Sequence, residues 1–171
     1  MAIKKVLQFG NPLLREKSRK VNNFNINLNK KIMRDLRDTL INLKKKHKTG
    51  GGLAAPQIGY LDRIVFLCAK GKSFFMFNPV IVKKSRQMFN VWDFCFSAGA
   101  SFTAKIKRHK KISVEFFDET GNKYCEEYKD YRAELIQHEI DHLNGILFID
   151  HIKNPTTIMM MEEWKKNFLL G

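Results

Sequence analysis

The chain has 171 residues, 44% of them hydrophobic, which is enough for a buried core and too apolar for disorder. Lys and Arg number 31 against 17 Asp and Glu, a net charge of +14, which fits either a nucleic-acid or ribosomal neighbour or lysines scattered over solvated faces. No apolar run reaches membrane-spanning length and no signal-peptide pattern opens the chain, so a cytoplasmic protein without an anchor is expected.

In chain order, Leu28, Ile32, Leu36, Leu40 and Leu43 recur at helical spacing and predict a helix over 27–48. The run "TGGGLAAPQIG" then demands a loop. Residues 63–69 and 74–82 are rich in β-branched and aromatic types and predict two strands joined by a turn at Lys70–Lys72. Residues 110–128 predict a hairpin around Asp118–Gly121. A second helix over 131–144 places Ala133, Ile136, Ile140 and Leu143 on one face. Residues 155–170 predict a short amphipathic helix with Pro155 near its start. The expected fold is α+β, one domain over 1–171, with mostly antiparallel sheets around a central helix and a helix near each end.

The basic residues cluster twice, at Lys44, Lys45, Lys46, His47 and Lys48 and at Lys105, Lys107, Arg108, Lys110 and Lys111. Neither cluster is interleaved with aromatics in the manner of a nucleic-acid surface. Three widely spaced cysteines argue against a disulfide framework and for a reducing compartment. Cys68 reads as a strand residue, Cys125 has no evident role, and Cys95 lies in "VWDFCFSAGAS".

The second helix carries the chemistry. "QHEIDHLNG" sets His138 and His142 four residues apart, so both imidazoles share one face and can reach one ion. Glu139 lies one residue off that pair and is placed to contact a water rather than the metal. A third ligand is needed. Continuation as His-x-x-Gly-x-x-His fails, because Gly145 is present but position 148 is Phe148. Two sources remain: a glutamate of the last helix, Glu162 or Glu163, or the upstream thiolate Cys95.

Three segments in this order resemble the peptide deformylase family: "GGGLAAPQIG" at 50–59, Cys95-x-Ser97, and "QHEIDHLNG" at 137–145. "FGNPLLREKSRKV", "MFNPVIV" and "DETGNKY" extend the resemblance over nearly the whole chain. The resemblance implies removal of the formyl group from formyl-methionyl nascent polypeptides. It implies Cys95, His138 and His142 as metal ligands. It implies Glu139 as the base that activates the metal's water and later protonates the leaving amine. Gln57 and the backbone N–H of Phe96 are implied as donors to the oxyanion. Gly50, Gly51, Gly52 and Leu53 are implied to pair with the substrate backbone, and Leu135 to wall an apolar methionine pocket that Gly51 widens. One divalent ion is implied, Fe(II) in the cell and Zn or Ni in a purified sample. A monomer is expected, in passing contact with the ribosome through its basic surface.

The middle motif departs from the family's Glu-Gly-Cys-Leu-Ser, reading Asp93-Phe94-Cys95-Phe96-Ser97. Asp93 shortens the reach of a carboxylate expected to pair with Arg108. Phe94 excludes glycine-only backbone angles, and Phe96 is expected to reshape the channel. Altered substrate preference or low turnover are the readings this loop raises. The rival functions are a small zinc endopeptidase using Glu162 and a non-catalytic basic protein at the ribosome.

Overall fold

A computed structural model describes residues 3–24, 26–69 and 71–168. After a 3-10 turn at Pro12–Arg15, helix α1 runs over Asn27–His47. Eight strands follow the expected α+β plan: β1 (Gly52–Ala54), β2 (Ile64–Ala69), β3 (Lys72–Lys84), β4 (Met88–Phe94), β5 (Phe102–His109), β6 (Lys111–Phe117), β7 (Lys123–Lys129) and β8 (Met159–Met160). Helix α2 spans Asp130–Leu143 and α3 spans Met161–Phe168. The strands pair antiparallel in two sheets, β1-β2-β3-β6-β7 and β4-β5-β8, with β1 at an open edge.

Period-two alternation decides where the helices sit. Leu53, Ile64, Phe66, Phe75 and Phe77 pack with Ile32, Leu36 and Leu40 of α1. Ala54, Val65, Leu67 and Met76 point the other way and pack with Ala133, Ile136, Ile140 and Leu143 of α2. The two helices therefore clasp the β1–β2 end of the sheet from opposite faces. A third cluster, Val91, Cys95, Ala104, Ile106 and Phe148, fills the space under the three-stranded sheet.

Three anchors hold α2 in register. Gln137 bonds both backbone groups of His109, at 3.0 and 2.9 Å. The buried Arg63 reaches the Leu143 carbonyl at 3.1 Å and the Asn144 side chain at 2.9 Å. Gly145, at φ +73°, follows the helix where a Cβ would lie 2.7 Å from the Arg15 carbonyl carbon, so no side chain fits.

Several expectations need correction. Leu28 is 45% exposed, because the buried stripe of α1 begins only at Asn29 and Ile32. The "GGGLAAP" loop contains the short strand β1 and a 3-10 turn at Ala55–Ile58. Strands β4 and β5 were not predicted, since the alternation of β5 (Thr103, Ala104, Ile106 and Arg108 buried, Lys105 and Lys107 out) hides behind its lysines. Arg108 is therefore not part of the second basic surface cluster. The last helix starts at Met161, preceded by a 3-10 turn at Pro155–Thr157 and by β8; its expected residues 169 and 170 lie outside the described residues. No described helix is long and apolar enough to cross a membrane. Cys68, Cys95 and Cys125 are free thiols, with Cys125 exposed and Cys68 half-buried.

Candidate metal centre and catalytic cavity

The helical spacing of α2 brings His138 and His142 to one face, and the turn after β4 brings Cys95 against them. Donor atoms of the three residues lie within 4.8 Å of one another, all buried. The Cys95 Sγ is 3.1 Å from His142 Nε2. Burial alone pushes the Cys95 thiol up, but His142 and His138 beside it bring it down to about 5. A thiolate therefore prevails at neutral pH, the form that ligates a metal. Among the described residues this is the one cluster of its kind. Glu162 and Glu163 are exposed on α3 and take no part in it, which removes the endopeptidase arrangement.

Asp93 organises the cluster. Its Oδ1 lies 2.8 Å from His138 Nδ1, which leaves Nε2 facing the cluster. Its Oδ2 accepts from Arg108 at 2.8 Å, and Arg108 also pairs with Asp141. His151 closes the chain on Asp141 at 2.8 Å. Burial opposes the charge on Asp93, yet His138 and Arg108 hold its carboxyl well below the usual range. Burial likewise opposes the charge on His138, but Asp93 raises its pKa well above the usual value. The shorter aspartate thus reaches both partners. Phe94 and Phe96 are absent from the left-handed residues, so the double phenylalanine does not strain the backbone.

Glu139 is 3% exposed, and its Oε2 has no hydrogen-bond partner. Burial lifts its carboxyl, against the pull of His138 and His142, to about 7. Gly52, facing α2 from β1, makes room for it: a Cβ there would lie 2.8 Å from Glu139 Cδ. Gln57 is held by its own loop, its Oε1 accepting from Ala54 N at 2.8 Å. That fixes the amide so that Nε2 points at Cys95 Sγ (3.5 Å) and Ser97 Oγ (3.3 Å). Phe96 opens the 3-10 turn Phe96–Ala98, where a first-turn N–H has no partner inside the turn.

These groups line a cavity of about 100 Å³ that also touches Gly50, Gly51, Gly52 and Leu135. Leu53 does not line it, because alternation turns its side chain into the α1 core. Gly51 does not widen it either. A Cβ at Gly51 would lie 2.7 Å from the Tyr131 hydroxyl and 2.9 Å from Leu135 Cδ2, so these side chains have taken the space. Tyr131 and Glu134 complete the wall, and neither was singled out from the sequence. Their signal was present in helical spacing, since Glu134 precedes His138 by one turn and Tyr131 precedes Leu135 likewise.

The polypeptide deformylase family model matches residues 3–157. The chain belongs to the polypeptide deformylase family. A peptide deformylase of Heliobacterium modesticaldum is 36% identical over 154 residues, covering 90% of this chain and 97% of the relative. One from Pseudothermotoga lettingae is 37% identical over 151 residues, covering 88% and 83%. The crystal structure of the Thermotoga maritima peptide deformylase superposes with a TM-score of 0.79 at 32% identity, covering 90% of this chain and all of that one. A Legionella pneumophila peptide deformylase structure gives 0.81 at 29% identity, covering 97% of each. The activity is accordingly hydrolytic removal of the formyl group from nascent polypeptides, and the deformylase family is metal-dependent. The thiolate and two imidazoles fit such an ion: three protein donors converge, and Glu139, with its orphaned oxygen, lines the same cavity as Cys95 and His138.

Proposed function

We propose that Cys95, His138 and His142 hold the metal, that Glu139 moves the proton, and that Gln57 and the Phe96 N–H bind the oxyanion. The carrying observation is the orphaned Glu139 oxygen, buried in a cavity beside three convergent donors. When bound, a divalent ion supplies Lewis acidity that activates water at neutral pH and polarises the formyl oxygen. Every other part of the reaction falls to the chain. Glu139, with a carboxyl near 7, is poised to take a proton from water and hand it to the departing amine. Gln57 Nε2, held beside Cys95 Sγ by the bond of its Oε1 to Ala54 N, is the side-chain donor for the charge that builds on the formyl oxygen; such a donor is worth about 3–4 kcal/mol. The open edge of β1 receives the peptide as an added strand along Gly50–Leu53, with Leu53 giving backbone only. Leu135, Tyr131 and Gly51 bound the space for the first side chain.

Fe(II) is the metal proposed in the cell, with Zn or Ni in a purified sample, since imidazole and thiolate suit all three. The chain is proposed to act as one catalytic domain over 1–171, a cytoplasmic monomer meeting formyl-methionyl chains as they leave the ribosome. The exposed lysines Lys45, Lys46 and Lys48 support a passing ribosomal contact. Hydrolysis of formyl-Met-Ala-Ser by protein reconstituted anaerobically with Fe(II) or Ni(II), beside Glu139→Ala, tests the reading. Turnover with metal bound, abolished by Glu139→Ala while the metal stays, is expected. Equal turnover in the two proteins would overturn the role of Glu139.

A further inference from the structure

The inner cavity is bounded by Phe94, which also lines an outer groove of about 740 Å³ between β4 and α3. Its polar side extends further into the protein. Asp93, also on the cavity wall, begins a line of contacts that ends at His151. Its Oδ1 lies 2.8 Å from His138 Nδ1, and its Oδ2 accepts from Arg108 Nη2 at 2.8 Å. Arg108 Nη1 donates to Asp141 Oδ2. The same oxygen accepts from His151 Nε2 at 2.8 Å. The line joins β4, β5, α2 and the 3-10 turn Phe148–His151.

The middle of this line has little else to hold it. Arg108 is 3% exposed, and its Nε has no hydrogen-bond partner. Two carboxylates therefore orient the guanidinium, Asp93 through Nη2 and Asp141 through Nη1. Among the described residues, Asp141 Oδ2 accepts from Arg108 and from His151. Charge balance shows why the second donor matters. Asp93 and Asp141 set two negative charges against the one positive charge of Arg108. His151 donates to the surplus at the outer end, where its side chain is 35% exposed. Without it, Asp141 takes a larger share of Arg108 and Asp93 a smaller one. Asp93 is the group that orients the His138 ring, so the disturbance reaches the donor cluster. The turn that carries His151 also places Phe148, whose ring lies 6.4 Å from that of His138. Loosening of the turn is thus a second route to His138, which the test must separate from the first.

We infer that His151 is a positioning residue for the metal site: through Asp141 and Arg108 it holds the Asp93 carboxylate on His138, and so sets how tightly the three donors hold an ion. This rests on the reading above that Cys95, His138 and His142 hold the metal. It adds a residue outside the cavity and outside the 137–145 segment.

The test measures Zn(II) affinity by chelator competition, and the visible spectrum of the Co(II)-loaded protein, for the unaltered chain, His151→Phe, His151→Gln and Asp150→Asn. Phenylalanine keeps the bulk of the ring without its donor, and glutamine returns an N–H to Asp141. Asp150→Asn weakens the same turn at its pair with Arg15 and leaves the line intact. A loss of about 3- to 10-fold in affinity is expected for His151→Phe, smaller than the roughly 10- to 100-fold for a residue that touches a ligand directly. The Co(II) bands should shift in His151→Phe, and His151→Gln should recover most of both signals. Asp150→Asn should lower the melting temperature and leave affinity and bands in place. Unchanged affinity and bands in His151→Phe would overturn the proposal, as would a loss that glutamine does not recover or that Asp150→Asn reproduces. If His151→Phe has no effect while Cys95→Ala loses the ion, the proposal fails and the metal reading stands. An unaltered protein that holds no ion overturns both.

Discussion

Gly52→Ala isolates the placement of Glu139, the proposed base, from everything else in the site. Gly52 is not among the left-handed glycines, so alanine meets no backbone strain. Its Cβ would lie 2.8 Å from Glu139 Cδ and Cγ and closer still to Oε1, whereas ordinary contact starts near 3.4 Å. The carboxyl must retreat by at least about 0.6 Å, which a flexible side chain does at little cost in folding. Catalysis is less forgiving, since a shift of about 1 Å in a reacting group costs on the order of a hundredfold. A loss of about 10- to 100-fold in kcat is expected, or about 1.4–2.7 kcal/mol of barrier. Metal stoichiometry and melting temperature should stay near those of the unaltered protein. Gly51→Ala is the control one residue away. It meets Tyr131 and Leu135 rather than Glu139, so its effect should fall on KM. Full kcat in Gly52→Ala, with Glu139→Ala inactive, would refute the argument that this glycine fixes the carboxylate.

Four further outcomes follow from the geometry. Gln57→Ala should lower kcat by about 100- to 1,000-fold with metal content unchanged, as measured by steady-state kinetics and metal analysis. Asp93→Asn removes the charge facing both His138 and Arg108. Metal affinity should fall by about 10- to 100-fold, and unfolding in urea should show a loss of about 1.5–3 kcal/mol, the worth of a hydrogen bond to a charged group, since Arg108 keeps Asp141. Asp93 and Asp141 both have folded pKa values below the unfolded value of about 3.9. Their contribution is therefore complete above about pH 4 and lost as pH falls through the folded values, so melting temperature should drop on that acid limb and drop less in Asp141→Asn. Phe94→Ala merges the inner cavity with the outer groove; KM for formyl-Met-Ala-Ser should rise while metal content holds.

The sequence revealed what repeats at a fixed period or sits at a fixed offset. The buried stripe of α1, the core face of α2 and the pairing of His138 with His142 are all helical spacings, and the structure places them as spacing requires. Strands β2, β3, β6 and β7 were legible because their apolar residues run together or alternate. Strand β5 was not, because lysines fill its outward positions and a buried arginine one of its inward ones. Such an arginine looks like surface until its partner is known, and Asp93 lies fifteen residues away across a turn. Cys95 could not be chosen as the third ligand from spacing alone, since nothing local in "DFCFS" reports that the end of β4 meets α2. The resemblance to a family supplied that, and the convergence of donors supports it. The wall formed by Tyr131 and Glu134 escaped because a polar residue on a helix reads as solvated, and only the cavity shows otherwise.

The departure at Asp93-Phe94-Cys95-Phe96-Ser97 is one coordinated change. Phe96 is buried with its ring against Gly50, where a Cβ would lie 2.6 Å from Cε2. Gly50 sits at φ +95°, so the ring occupies space that only glycine leaves open. Phe94 meets Phe96 edge to face at 6.0 Å, and His47 meets Phe96 at a tilt from the end of α1 at 5.8 Å. Bulk added beside Cys95 is thus matched by Gly50. Tyr131 and Leu135 fill what Gly51 vacates. Cys95, Glu139 and Gln57 line one cavity, and the wall around them carries the rings of Phe94, Phe96 and Tyr131 and the acid Glu134. Hydrogen bonds between Asp93 and His138 and between Ala54 and Gln57 fix the polar groups, and ring packing shapes the space beside them.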